Sequence, residues 1–241
     1  MGTSSERIRA SGLTKRFSNG VFGLEALSLT VREGELVCLF GGPGAGKSTA
    51  LHLIAGLMTP SSGTVTIDGS AVSDRARTLR RVTLIARAWK HPGRLNPIEN
   101  LRAYLALNGK GASVDDCRNA LRDCGVPDSV MKGPTSALTR EHQLLIWFAL
   151  ARMKQAGVLL LDDPAWGLDV LAIRNLLEHI DGLRPHVATL VTTSNPLLAA
   201  DADRCLMLID GRPVWERTKA ELTAQSLASV YVRLWGHRDL D

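Results

Sequence analysis

Residues 41–49 read Gly41-Gly42-Pro43-Gly44-Ala45-Gly46-Lys47-Ser48-Thr49, directly after the apolar run Leu36-Val37-Cys38-Leu39-Phe40. An apolar strand that empties into a glycine-rich turn and then a Lys-Ser-Thr helix start is open to few folds. It is the phosphate-binding loop G-x-x-x-x-G-K-[ST], here in the fuller form G-x-x-G-x-G-K-S-T. Gly41, Gly44 and Gly46 let the backbone bend until successive N–H groups point inward onto phosphate oxygens. Lys47 brings an ammonium to the β- and γ-phosphates, and the Ser48 hydroxyl suits Mg²⁺. The helix opens at Lys47, so its positive end faces the same anion. These residues predict a bound nucleoside triphosphate. They leave open whether it is hydrolysed.

The 241 residues suffice for one large domain, or a core with a subdomain. No apolar stretch approaches the ~20 residues that span a bilayer. Met1-Gly2-Thr3-Ser4-Ser5-Glu6 lacks the apolar middle of a signal peptide, so a cytosolic chain is expected. Cys38, Cys117, Cys124 and Cys205 are scattered without a C-x-x-C pair, which reads as reduced, buried thiols. The net charge of +5 is spread along the chain. It suits weak attraction to anionic headgroups and is too diffuse to argue for a specific nucleic acid partner.

Alternation around 7–10 and 24–31, with Ser18-Asn19-Gly20 between, predicts early strands. A helix is expected from Lys47 to about Met58, then strands at 64–69 and 82–85. From Trp89 to Arg152 the pattern turns helical, with starts at Asn96-Pro97, Ser113 and Thr139. The run Val158-Leu159-Leu160-Leu161-Asp162 reads as a parallel strand covered on both faces, and 188–192 and 204–209 as further strands. Thr218-Lys219-Ala220-Glu221 is a capping box expected to open the last helix.

Together these residues resemble the nucleotide-binding subunit of an ATP-binding cassette (ABC) transporter over nearly the whole chain. Glu33-Gly34-Glu35, residues 41–49, Pro60-Ser61-Ser62-Gly63, Ile67-Asp68-Gly69, Glu99-Asn100-Leu101, Asp162-Asp163-Pro164 and Gly167-Leu168-Asp169 follow that family's order. The resemblance implies an α/β fold: a RecA-like P-loop NTPase core with an antiparallel β subdomain (1–86 and 156–241 together) and a helical subdomain at about 87–155. It implies ATP and Mg²⁺ as ligands, with Phe17 stacking on adenine and Ser48 and Asp162 at the metal. It also implies partners, namely membrane permease subunits and a second cassette, and hence a peripheral place at the inner face of the membrane.

The departures from the family pattern fall on residues that do chemistry. Asp163 stands where a glutamate polarises the attacking water; a displacement of ~1 Å there can cost ~10²-fold in rate. Thr193 replaces the switch histidine and lacks its reach and proton chemistry. Counting back from Glu99 puts Arg87 at the glutamine that ligates metal and water, which opposes coordination, although arginine can bind phosphate directly. The signature Leu-Ser-Gly-Gly-Gln becomes Leu138-Thr139-Arg140-Glu141-His142. Glu141 would repel a triphosphate unless Arg140 offsets it, and Arg140 is a candidate arginine finger. Leu144, Leu145, Trp147 and Phe148 behind it read either as core or as an altered partner surface.

The leading expectation is therefore a degenerate cassette. It would bind Mg-ATP, hydrolyse it slowly or not at all, and work beside a different, competent cassette and a permease. An ordinary slow ATPase with Asp163 as base is the alternative, and a soluble ATP-gated scaffold without a permease is another. The contexts of Phe17 and Glu99-Asn100-Leu101, with no regulatory domain beyond Asp241, lean toward export.

Overall fold

The computed structural model describes residues 5–87 and 90–235. The start at Met1–Ser4, the opening of the helical stretch at Trp89 and the terminus at Asp241 lie outside them.

The chain begins with a hairpin of β1 (Glu6–Arg16) and β2 (Phe22–Arg32). Its turn is closed by Asn19 Oδ1, which accepts from Val21 N at 3.1 Å, and by Gly20 at φ +83°. β3 (Leu36–Phe40) is wholly buried and feeds the glycine loop, after which α1 (Lys47–Ile54) begins. β4 (Ser62–Ile67) and β5 (Ser70–Ala71) return to the first hairpin. α2 (Arg75–Arg81) leads into β6 (Val82–Ile85). Next come α3 (Pro97–Leu107), α4 (Val114–Asp123) and α5 (Arg140–Lys154), then β7 (Val158–Asp162) and α6 (Val170–Asp181). β8 (Ala188–Thr193), α7 (Pro196–Ala200), β9 (Arg204–Ile209), β10 (Arg212–Thr218) and α8 (Ala224–Trp235) complete the chain.

Among the described residues the strands form two sheets, ordered β2-β1-β4-β5 and β10-β9-β3-β8-β7-β6. The first is antiparallel. The second is parallel except for its edge strand β10. Its central strands β3, β7 and β8 are buried at every position, as an apolar run covered on both faces requires. This is the α/β class expected, with its antiparallel sheet and its helices between β6 and β7.

Those helices start where their caps dictate. Asn96 and Ser113 each form a reciprocal capping box, and the Thr139 side chain accepts from His142 N at 3.2 Å. Asn100 is fully buried, and its amide donates to Pro92 O, Leu95 O, Asn96 O and Thr135 Oγ1. It thereby ties the approach to α3 to the approach to α5. Leu144, Leu145, Trp147 and Phe148 are all buried, which makes them core, and of the four Trp147 also lines an apolar groove.

Three boundaries differ from expectation. α1 stops at Ile54, because Gly56 turns at φ +69° and packs so closely on Val72 that a Cβ would stand 2.8 Å from its carbonyl oxygen. β10 carries Pro213, which hid it as a strand; a proline is tolerated at a sheet edge. The Thr218–Glu221 capping box forms but closes only a 3₁₀ turn, and α8 waits for Ala224, once Leu222 has been buried in extended conformation.

Candidate functional site

The carboxyl ends of β3, β7 and β8 lie side by side, in register from Phe40 through Thr193 and from Asp162 to Thr192. A cleft outside the carboxyl ends of parallel strands is where such sheets bind ligands. Here one wall is the glycine loop. Gly46 sits at φ +93°, and a Cβ on it would stand 2.5 Å from Gly23 O. A Cβ on Gly41 would stand 2.5 Å from Leu208 O. The loop is thus held by two distant strands through contacts that only glycine permits. Ala45 O accepts from Gly211 N at 3.1 Å and Ala45 N donates to Gly42 O at 3.2 Å. α1 has no side-chain cap, so its leading N–H groups face the loop.

Lys47 Nζ donates to Gly41 O at 2.7 Å and to Gly42 O at 2.8 Å. Burial pushes its ammonium below the usual lysine range, against the pull of Asp163 and Asp162. Ser48 Oγ donates to Asp162 Oδ1 at 2.9 Å, and Thr192 Oγ1 donates to the same oxygen at 2.8 Å. The aspartate at the end of β7 is therefore aimed at the start of α1 by the neighbouring strand.

The facing wall is built from side chains. Asp163 adopts φ +47°, a strained setting that aspartate tolerates better than most residues. Its Oδ2 lies 3.5 Å from Arg87 Nη1, and its Oδ1 accepts from Thr193 Oγ1 at 3.4 Å. Burial pushes the Asp163 carboxyl up, opposed chiefly by Lys47 and Arg87. The Arg87 guanidinium also lies over the Trp166 ring, 4.3 Å from its centroid. Arg140 Nη2 donates to Arg87 O at 3.4 Å, and its buried Nε has no partner among the described residues. The cleft between the walls holds about 800 Å³ and is lined by Ser48, Arg87, Arg140, Asp162 and Trp166, with His52 and Lys90 at its margin.

A family model described as ABC transporter matches residues 24–166, which includes both walls as far as Trp166. This chain belongs to the ABC transporter family. It is 31% identical over 241 aligned positions to the phosphonates import ATP-binding protein PhnC of Thiobacillus denitrificans, covering 94% of this chain and 93% of that one. It is 33% identical to the cobalt import ATP-binding protein CbiO of Rhodobacter capsulatus, covering 88% of this chain and 79% of that one. Among solved structures, the ATP-binding cassette MJ0796 bound to ADP and Pi superposes with a TM-score of 0.80 at 22% identity, over 88% of this chain and 98% of that one, which shows a shared fold.

Within this cassette the residues singled out from sequence fall into three groups. The loop through Ser48, with Asp162 and Arg87, lines one cleft, and Asp163 and Thr193 join it through contacts with Arg87 and with each other. Thr193 is fully buried, its hydroxyl donating to Asp163 and accepting from Asn195 N at 3.0 Å. Of the signature positions, Arg140 lines this same cleft, whereas Glu141 turns away and accepts from Asn175 Nδ2 on α6 at 2.9 Å. Thr139 and His142 are occupied in the helix cap. Phe17 stands apart at the hairpin turn, part-exposed and packed so close over Gly23 that a Cβ there would lie 2.4 Å from its ring. Gly23 in turn touches Gly46, which links Phe17 to the loop.

Thr192 and Trp166 escaped the sequence reading. Thr192 was legible in principle as the residue beside the switch position on a strand adjacent to Asp162. Trp166 sits between two motifs and carried no signal of its own.

Proposed function

We propose that this chain is a degenerate cassette: it binds Mg-ATP in the cleft at the ends of β3, β7 and β8 and turns it over slowly or not at all. Residues 41–49 would hold the phosphates and Phe17 would cover the adenine. The hydroxyl and carboxylate of Ser48 and Asp162, already 2.9 Å apart, are the hard oxygen donors that Mg²⁺ takes. Bound there, Mg²⁺ would neutralise charge on the phosphates.

The observation that carries the reading is the engagement of Asp163. A general base must present a free oxygen toward its water. Both oxygens of Asp163 face other side chains, Arg87 on one side and Thr193 on the other, and Trp166 holds Arg87 in place. A single departure would suggest a slow enzyme. Asp163, Thr193, Arg87 and the Arg140-Glu141 pair together, beside an unaltered loop, favour retained binding over hydrolysis. The alternative, Asp163 as a working base, draws on its burial, which raises its basicity.

We further propose that the chain acts as one cassette, with 87–155 as its helical subdomain, beside a permease and a different, competent cassette. An apolar groove of about 520 Å³ between β6, α3 and α5, lined by Leu84, Pro92, Tyr104, Leu107, Trp147 and Leu150, is open to such a partner. Among the described residues no helix is long and apolar enough to cross a membrane, so contact with a bilayer would run through the permease. The two relatives named above are import proteins, which supports import over the export direction favoured from sequence.

The test is a paired measurement of Mg-ATP affinity and phosphate release, repeated with Lys47→Ala. Binding that the variant loses, with release at background, is the expected result. Release clearly above background, abolished by Asp163→Ala, would establish the slow-enzyme alternative instead.

A further inference from the structure

The parallel sheet has a second end. At the amino ends of β6, β7 and β8, Arg81, Gly157 and Val187 immediately precede the strands and line a pocket of about 560 Å³. With a strand rise of ~3.3 Å, its floor lies some ~16 Å from the nucleotide cleft across the length of β7. Arg7 from β1, Arg80 and Arg81 from α2, Arg152 from the last turn of α5, and His186 converge on it, with Asp68 as the one carboxylate in the lining.

The charges do not balance locally. Asp68 is divided between Arg7 at 3.0 Å and Arg81 at 2.5 Å, and Arg7 is further held by Glu33 at 2.7 Å. Neither the Arg80 nor the Arg152 side chain has a hydrogen bond or ion pair with any described residue. The Nε atoms of Arg7 and Arg152 are buried and unsatisfied. Buried donors without acceptors are costly, more so when charged. The space also depends on a missing side chain: a Cβ on Gly182 would stand 2.9 Å from Arg152 Nη2. Ala151, Leu183 and Val187 give the remaining wall an apolar surface.

From this we infer that the pocket is a second ligand site, for a small organic phosphate whose phosphoryl group meets Arg152 and Arg80 and whose apolar body lies on Leu183 and Val187. Guanidinium groups left without a carboxylate partner, as those of Arg80 and Arg152 are, suit the bidentate geometry of phosphate, and the volume is that of a small-molecule site. The site is separate from the nucleotide cleft and does not depend on how that cleft functions.

Phenyl phosphate, inorganic phosphate and benzoate titrated calorimetrically into the full chain test this, once with ADP in excess and once in the Lys47→Ala background. The expected result is saturable, one-site binding of phenyl phosphate that survives in both settings. Arg152→Gln should weaken it at least tenfold and Arg80→Gln about threefold, with ADP affinity unchanged in both variants. Benzoate should bind more weakly than phenyl phosphate. Arg80 is exposed on α2, so Arg80→Gln remains informative if Arg152→Gln fails to fold. Loss of binding when ADP fills the loop, or affinity indifferent to both substitutions, would overturn the site. Equal affinity for inorganic phosphate would overturn the organic ligand and leave free phosphate.

Discussion

The two walls of the nucleotide cleft are made of different material. The glycine-loop wall is main chain: carbonyls that hold Lys47, amides at the head of α1, and glycines whose missing side chains let Gly23 and Leu208 approach. The wall across from it consists of side-chain functional groups: Arg87 meets Asp163, Trp166 and Arg140, and Asp163 in turn meets Thr193. A surface of backbone stands or falls as a unit, because a change at one glycine disturbs strands far away in sequence. A constellation of side chains can be rewritten one member at a time while the fold persists. On the function proposed above, that difference is what would let one cleft keep its grip on phosphate while losing the chemistry opposite.

The largest effect should come from the loop wall. Lys47→Ala is expected to weaken nucleotide binding by ~10²-fold or more, as loss of a charge-assisted contact of about 3 kcal/mol implies. A smaller loss, by fluorescence titration, would mean that the backbone alone holds the phosphates and would sharpen the contrast further.

Next comes a control that lies behind both walls. Lys154 is buried at the end of α5, donates to Val82 O at 2.5 Å, and is pushed down to about 8 by burial. Its folded value lies below its unfolded one, so between about pH 8 and 10.5 the unfolded chain binds the extra proton. Its contribution to stability should therefore rise across that window, by on the order of 1–3 kcal/mol. Denaturant unfolding of Lys154→Met against the parent should lose that slope; parallel curves would show that the lysine keeps its charge in the fold.

On the side-chain wall, Arg87→Gln is expected to leave stability within ~1 kcal/mol, since the pair with Asp163 is part-exposed. It should raise the Asp163 carboxyl further, because Arg87 now holds it down. Carboxyl-resolved NMR titration reads that shift, and phosphate release should increase several-fold. No change in release would mean that Arg87 does not restrain the carboxylate. The smallest effect belongs to Trp166→Ala, which removes a cation–π contact of about 0.5–1 kcal/mol. It should reproduce the Arg87→Gln phenotype in diluted form.

The same contrast governs how much was legible in the sequence. The loop, its strand and its helix are contiguous, so residues 41–49 could be read directly. The helix starts at Asn96, Ser113 and Thr139 were equally plain, because caps act over three residues. The Arg87–Asp163 contact spans 76 positions and the Ser48–Asp162 contact 114, and only the family resemblance pointed to either. The partner of Glu141 within the chain was equally hidden: its carboxylate accepts from Asn175, 34 positions away. The pocket at the other end of the sheet was invisible, since Arg7, Arg81 and Arg152 come from three elements with no motif among them. β10 hid behind Pro213.

The resting position of Lys47 bears on exchange. Its ammonium lies on two main-chain oxygens of its own loop, which can solvate that charge without bulk water. An arriving phosphate trades one oxygen cage for another and need not recruit the lysine from bulk water. Ligand entry and departure then become a swap between near-equal hosts, with little rearrangement of the chain, and a cleft of this kind can fill and empty quickly even if nothing in it is ever cleaved.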